Sequence, residues 1–386
     1  MGDARVRRKV VYITGTRADY GLMRTTLRSI DSRPELELVI VVTGMHLLAE
    51  FGRTIDLIEK DGFRTIVADA TIEDDRKSST ARFLGGLTAE LANIMDQERP
   101  DAILLLGDRA EMLAGAIVGT YMNIPTFHIH GGDVSSTVDD HARHAITKLS
   151  HIHLPATITS AERILKMGEN KDRIFIVGSP DLDEVMGVKP MAREQSMAEY
   201  GLDTDEDFVI LVQHSVSVES DLAKDQMETT IKALKGVNIR TLVIYPNADA
   251  GGRGMIDVIE KECKAPQFIV FKSLPRERYL SLLSSAKALV GNSSSGIAEA
   301  PSLGVPFVNI GTRQSGRERA RNVIDADYSE DSIKNAVEKA LHDEAFRKEV
   351  AKRYNPYGDG KTADRIARII AEIDLDPSIT QKVLTY

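Results

Sequence analysis

Ala288-Leu289-Val290-Gly291-Asn292-Ser293-Ser294-Ser295-Gly296-Ile297-Ala298-Glu299-Ala300, continuing through Gly304-Val305-Pro306 and Phe307-Val308-Asn309-Ile310 to Gly311-Thr312-Arg313-Gln314, reads as strand, small-residue turn, short helix and strand. A turn of Asn, Ser and Gly leaves backbone N–H groups open at the start of a helix, where they and the helix dipole attract an anion, most often phosphate. The Ser hydroxyls add donors, and Arg313 just past the second strand supplies a fork-shaped partner for a diphosphate. The same residues also fit an ordinary N-capped helix with a Ser-rich turn. The remainder of the chain has to decide between these readings.

Working outward, the same style recurs. Apolar runs at 10–14, 36–43, 63–67, 102–106 and 126–129 alternate with helical patterns, of which 82–97 has Phe83, Leu87, Leu91 and Ile94 on one face. After Gly178-Ser179-Pro180 the alternation restarts, with strands expected at 208–212, 240–245, 268–271, 288–290 and 307–310. Strands rich in Val, Ile and Leu that alternate with helices imply parallel sheets covered on both faces. The expected architecture is α/β, with two doubly wound, Rossmann-like domains facing each other across a cleft. The expected divisions are an N-terminal domain over 1–180 carrying acid–base residues, a C-terminal nucleotide-binding domain over 181–372, and a tail over 373–386 that packs back on the first domain. The last helices run from Ser329 to about Glu372, interrupted at Pro356-Tyr357-Gly358-Asp359-Gly360.

A chain of 386 residues with 42% hydrophobic and 28% charged content is long enough for two domains with sizeable cores. A net charge of −9 argues against a general nucleic-acid binder. No apolar run is long enough to span a bilayer, and Arg5, Arg7, Arg8 and Lys9 lead into a strand rather than a signal-type segment. The single cysteine, Cys263, excludes an internal disulfide and a Cys-rich metal site and suggests a reducing cytoplasm.

In open parallel sheets, ligands sit beyond the carboxyl ends of the strands. The polar clusters fall there: 14–19, 107–111, 130–133, 213–217, 245–252 and 291–296. No G-x-G-x-x-G follows the first strand and no G-x-x-x-x-G-K-[ST] loop occurs, which disfavours a nicotinamide cofactor and a phosphoryl-transfer ATPase. Arg17 after the first strand fits either a phosphate contact or a solvated loop residue. His128, His130, Asp133, Asp139, Asp140, His141 and His144 form the densest ionisable patch. They lack H-E-x-x-H or a closed ligand set, so no metal is expected. His128 reads as a satisfied sheet residue, and Asp139-Asp140 either caps the following helix or serves chemistry. Asp108, ending an apolar strand, has a stronger claim to acid–base work. His214, at the end of 208–212, suits a phosphate or ring oxygen, and Ser179-Pro180 reads as hinge chemistry alone.

Together these motifs resemble a known family. Thr14-Gly15-Thr16-Arg17-Ala18-Asp19-Tyr20-Gly21, Gly107-Asp108-Arg109, His128-Ile129-His130-Gly131-Gly132-Asp133, Thr137-Val138-Asp139-Asp140, Gly178-Ser179-Pro180-Asp181, Tyr245-Pro246-Asn247, Gly291-Asn292-Ser293-Ser294 and Gly311-Thr312-Arg313-Gln314 are similar to the hydrolysing UDP-N-acetylglucosamine 2-epimerases of sialic-acid synthesis. The resemblance covers nearly the whole chain. It implies a glycosyltransferase-B-type fold, a UDP-sugar substrate, release of UDP and N-acetylmannosamine, and neither cofactor nor metal. A homodimer or homotetramer is expected, with no nucleic-acid or membrane partner.

By the resemblance, Arg17, Ala18, Arg109, His214, Asn247, Ser293, Ser294, Gly296, Glu299 and Arg313 hold UDP, with Glu299 on the ribose. Asp108 and Asp139 match carboxylates that act at the sugar, and His130 joins them as a third catalytic candidate. Relatives commonly have Glu at the position of His130, and Asp133 replaces a second Glu. This departure points to an alternative branch acting on UDP-2,4-diacetamido-2,4,6-trideoxyglucose in legionaminic-type pathways. A non-hydrolysing UDP-N-acetylglucosamine 2-epimerase is a further alternative.

Overall fold

The computed structural model describes residues 7–48, 53–71, 77–134, 139–187, 191, 193–203, 205–247, 249–383 and 385. The chain forms two compact units, one of Met1–Glu184 with Tyr357–Tyr386 and the other of Val185–Pro356.

The first unit contains a six-stranded sheet of β1 (Arg8–Thr14), β2 (Leu36–Val42), β3 (Thr65–Val67), β4 (Ala102–Leu106), β5 (Thr126–Ile129) and β6 (Ile152–Leu154), in the order β3-β2-β1-β4-β5-β6. The second contains β7 (Phe208–Val212), β8 (Arg240–Ile244), β9 (Phe268–Phe271), β10 (Ala288–Gly291), β11 (Phe307–Ile310) and β12 (Val323–Ala326), in the order β12-β11-β10-β7-β8-β9. All pairings are parallel. Numbered within its own unit, each sheet has the 3-2-1-4-5-6 order of a doubly wound nucleotide-binding fold.

Burial explains why the strands read as unbroken apolar runs. Every residue of β4 and β7 is buried, because helices cover both faces. In the first unit, Tyr12, Leu104 and Phe127 face one core while Ile13, Ile103 and Leu105 face the other. The short strands β6 and β12 were not expected. Ile-His-Leu and Val-Ile-Asp-Ala are too brief and too polar to show a run, and they stand as strands because each pairs along the edge of a finished sheet.

The end of the chain belongs to the first unit from Tyr357 onward, so the helix Thr362–Glu372 lies there, ahead of the tail that the sequence assigned to it. Ile366, Ala367 and Ile370 of this helix share a core with Leu27 and Ile30 of the helix Arg17–Asp31. Further on, Arg173 donates to the Ile379 carbonyl at 2.7 Å, and Lys382 Nζ donates to the Lys148 and Ser150 carbonyls, both at 2.7 Å.

This packing carries a testable consequence. Ile370→Ala should destabilise the protein by about 2–5 kcal/mol, read as a lower thermal midpoint. An unchanged midpoint would mean that the helix contributes nothing to the first unit's core.

Candidate active site

In each unit the strand order reverses between two central strands, β1 and β4 in one and β7 and β10 in the other. The loops leaving the carboxyl ends of those four strands carry most of the expected site residues.

In the first unit, the turn after β1 is shaped by Asp19. Its carboxylate accepts the N–H groups of Gly15 and Thr16, each at 3.1 Å, and the Thr14 hydroxyl, while Thr16 caps the helix Arg17–Asp31. Burial, only partly offset by the bonds from Thr14 and Gly15, pushes Asp19 up to about 6. Arg17 and Ala18 are left exposed on the first helical turn. Glu111 lies 1% exposed against this turn: a Cβ added to Gly15 would come within 2.1 Å of its Oε1. Arg109 donates to both Glu111 oxygens, at 3.1 and 3.2 Å. Glu111 and Asp19 were not singled out from sequence; a carboxylate two residues after an arginine at a strand end was the available signal for the former.

Asp108 is ion-paired with Arg143 of the helix Asp139–Leu149. Its neighbour is thus a guanidinium as well as the wall of β4. His128 ties these elements together: its Nε2 donates to the Gly107 carbonyl at 2.7 Å, and its Nδ1 is left to accept from the Thr147 hydroxyl at 3.2 Å, on the helix that also carries Arg143. Burial lowers His128 to about 3, which keeps the ring neutral. His128 is the sheet residue expected.

His130 lies just past β5 in left-handed backbone, φ 62°, so the strand alternation ends before it. Its Nδ1 is 3.1 Å from Asp133 Oδ2, and its Nε2 is 3.0 Å from the Ser179 hydroxyl. Asp139 is the first residue of its helix; its side chain lies outside the described residues. Among the described residues, no cluster of three or more His, Cys, Asp or Glu side chains could hold a metal ion.

In the second unit, Asn292 locks the turns after β7 and β10 together. Its side-chain oxygen accepts the His214 N–H at 2.7 Å and its amide donates to the His214 carbonyl at 2.8 Å. His214 Nδ1 accepts the Asn247 N–H at 3.0 Å, which leaves the proton of the neutral ring on Nε2. Burial, reinforced by the Arg313 charge, lowers His214 to about 4. Arg313 donates to the Asn292 carbonyl at 3.3 Å. The Ser-rich turn itself is half cradle and half packing. Ser293 and Ser294 line a cavity of about 450 Å3 together with His214, Asn247, Lys272, Arg276, Tyr279 and Glu299. Gly296 instead faces β11, where an added Cβ would sit 2.3 Å from the Phe307 ring. Glu299 accepts from Arg276 at 3.2 Å, and Tyr279 donates to Ser295 at 2.7 Å. Lys272 directly follows β9, Arg276 and Tyr279 lie on the next helix, Arg276–Ser285, and none had a motif to mark it. The cavity thus presents an acidic group, hydroxyl donors and a neutral histidine, a combination suited to ribose and phosphate oxygens.

Comparison with known proteins agrees with this arrangement. The family described as UDP-N-acetylglucosamine 2-epimerase matches residues 28–371. The chain belongs to this family. A Legionella pneumophila protein named UDP-N,N'-diacetylbacillosamine 2-epimerase (hydrolyzing) is 40% identical, covering 98% of this chain and 100% of the relative. A UDP-N-acetylglucosamine 2-epimerase of Neisseria meningitidis serogroup B is 37% identical, covering 94% of this chain and 95% of the relative. Among solved structures, a Neisseria meningitidis UDP-GlcNAc 2-epimerase bound to UDP-GlcNAc superposes with a TM-score of 0.74 at 17% identity, covering 93% of this chain and 98% of that one. The fold is therefore that of the glycosyltransferase-B-type epimerases, and the chain is an enzyme of the UDP-sugar 2-epimerase class. No helix among the described residues is long and apolar enough to cross a membrane.

The buried histidines of this family member set its acid stability. Burial holds His46, His128, His151 and His214 down to about 4, 3, 4 and 4. A free histidine titrates near 6.5, so the unfolded chain takes up protons first. Their contribution is fully present above about 6.5 and is lost as the pH falls through about 4. His153, also lowered by burial, acts with these four, while Asp19 and Asp183, both raised by burial, act in the opposite sense within this window. The thermal midpoint should fall steadily between pH 6.5 and 4; a midpoint that rises over that window would contradict this balance.

Proposed function

We propose that the protein is a hydrolysing 2-epimerase that converts UDP-N,N'-diacetylbacillosamine, the 2,4-diacetamido-2,4,6-trideoxy sugar, and water to the free 2-epimeric sugar and UDP. The observation that carries this reading is 40% identity along essentially the full length of a relative with that printed activity. A Campylobacter jejuni relative whose name includes the same sugar, 31% identical over 84% of the chain, also supports it. UDP-N-acetylglucosamine, giving N-acetylmannosamine, is the second reading, favoured by the 37% identical Neisseria relative.

The chemistry starts from a difficulty. The C2 proton of a 2-acetamido sugar is not beside a carbonyl, so a carboxylate alone removes it very slowly. Departure of UDP builds positive charge at C1 and acidifies that proton. The C1–O bond breaks with its electrons on the diphosphate, the C2 proton passes to a carboxylate, and a C1–C2 double bond forms. A proton then returns to C2 on the opposite face while water adds at C1.

In this reading the second unit holds the leaving group. His214 offers its Nε2 proton without a net charge, Ser293 and Ser294 offer hydroxyls, Arg313 supplies the guanidinium, and Glu299 accepts from the ribose. Arg17, Ala18 and Arg109 of the first unit remain UDP-binding candidates by the family resemblance alone. Gly296 serves the same turn by letting the short helix approach Phe307. Asp108, ion-paired with Arg143, is the proposed base, and Asp139 and His130 are the proposed acid side.

A 1H NMR time course with each UDP-sugar separates the two readings: free 2-epimeric sugar from the diacetamido substrate supports the first, and turnover of UDP-N-acetylglucosamine alone supports the second. Asp108→Asn should lower turnover by about a hundred- to ten-thousandfold, with UDP affinity by calorimetry retained. Loss of UDP affinity in step with turnover would remove Asp108 from the role of base.

A further inference from the structure

Ser179 lies in the Gly178-Ser179-Pro180-Asp181 segment, where Ser179-Pro180 reads from sequence as hinge chemistry, yet it is 4% exposed and bonded through its N–H, carbonyl and hydroxyl. Its N–H donates to the Tyr357 carbonyl at 2.7 Å, and its carbonyl accepts the Thr362 hydroxyl at 3.2 Å. Gly178 permits this approach: at φ 95° it carries no Cβ, and one placed there would lie 2.7 Å from Thr362 Oγ1. With its backbone held, the hydroxyl has one proton to give, and it gives that proton to Asp181. The hydroxyl oxygen, 3.0 Å from His130 Nε2, is then an acceptor.

The other side of the ring is equally determined. Nδ1 faces Asp133 Oδ2 at 3.1 Å, and the second oxygen of Asp133 is occupied by the Ser160 hydroxyl at 2.6 Å. A carboxylate opposite a ring nitrogen requires a proton between them. Both nitrogens of His130 therefore donate.

We propose that Ser179 and Asp181 are positioning residues that hold His130 as a doubly protonated imidazolium. The proposal rests on the reading of His130 as part of the acid side of the reaction. It deepens that reading, because an imidazolium carries the proton that an acid must give, and Ser179 keeps Nε2 protonated while Asp181 takes the Ser179 proton. The charged groups facing the ring agree. Burial opposes the charge on His130, but the hydrogen bond and charge of Asp133 and the charge of Asp181 outweigh it, with Arg143 working against them. His128, on the preceding strand, is neutral. The strained left-handed backbone at His130 is consistent with a ring held for its contacts rather than for local comfort.

The test uses the full chain labelled with 15N-histidine, with His130 assigned by loss of its signals in His130→Gln. Wild type should show both His130 ring nitrogens protonated at pH 7. Ser179→Ala should move the ring's titration, and the alkaline limb of kcat, down by about one pH unit or more, with UDP affinity unchanged. Ser179→Thr, which keeps the hydroxyl, should restore both. A Ser179→Ala protein whose activity falls equally at every pH, with the His130 spectrum unchanged, would overturn the proposal. So would a neutral His130 ring in wild type. If the ring shifts as expected but neither UDP-sugar is turned over, the clamp stands and the proposed reaction fails.

Discussion

A parallel sheet whose strand order reverses at its centre sends the loops on either side of the reversal in opposite directions, which opens a crevice beyond those strands' carboxyl ends. Here that constraint operates twice. It gathers the β1 and β4 loops in one unit and the β7 and β10 loops in the other. Most of the candidate site residues lie on these loops, and His130, Asn247 and Arg313 follow the neighbouring strands β5, β8 and β11. Asp19 and Glu111, distant in sequence, are brought against Gly15, and Asn292 reaches across to lock His214. Short sheets could not fix such loops by themselves; the buried helices on both faces of each sheet keep the strands in register.

The two crevices are built on different electrostatic principles. In the second unit, apart from Glu299 with its partner Arg276, the polar groups named at the site are neutral or are donors: His214 is uncharged, Asn292 spends both ends of its amide on backbone, and the serines offer hydroxyls. Such a cradle favours incoming negative charge with little reorganisation. The first unit instead carries opposed charges in contact. Asp108 meets Arg143, Glu111 meets Arg109, and Asp133 meets His130. Each of these three carboxylates has its own cation, and the pairs also act on one another: the Arg143 charge reaches both Asp133 and His130.

Much of this was readable in the chain itself. Ten of the twelve strands appear as apolar runs, because parallel strands buried on both faces cannot alternate. The family is equally visible, since its motifs sit at strand ends where backbone and side chain are both constrained. Edge strands β6 and β12 were not, being three and four residues long with His153 and Asp325 in them. Pairings between distant residues were also hidden. Nothing near Asp108 announces Arg143, and Ser179 looks like turn chemistry until Thr362 and Tyr357 return beside it. Lys272, Arg276 and Tyr279 line the cavity only because β9 and its helix lie beside β8. Local sequence reports burial and turns; partners supplied from a hundred residues away are set by topology.

The account stands on departure of UDP by cleavage of its bond to C1. The most direct measurement is turnover of the UDP-sugar in 18O-labelled water, followed by mass spectrometry of both products. The account predicts 18O on the anomeric carbon of the free sugar and none in UDP. Label in the β-phosphate of UDP, or a 2-epimeric UDP-sugar as the sole product with no free sugar formed, would contradict it.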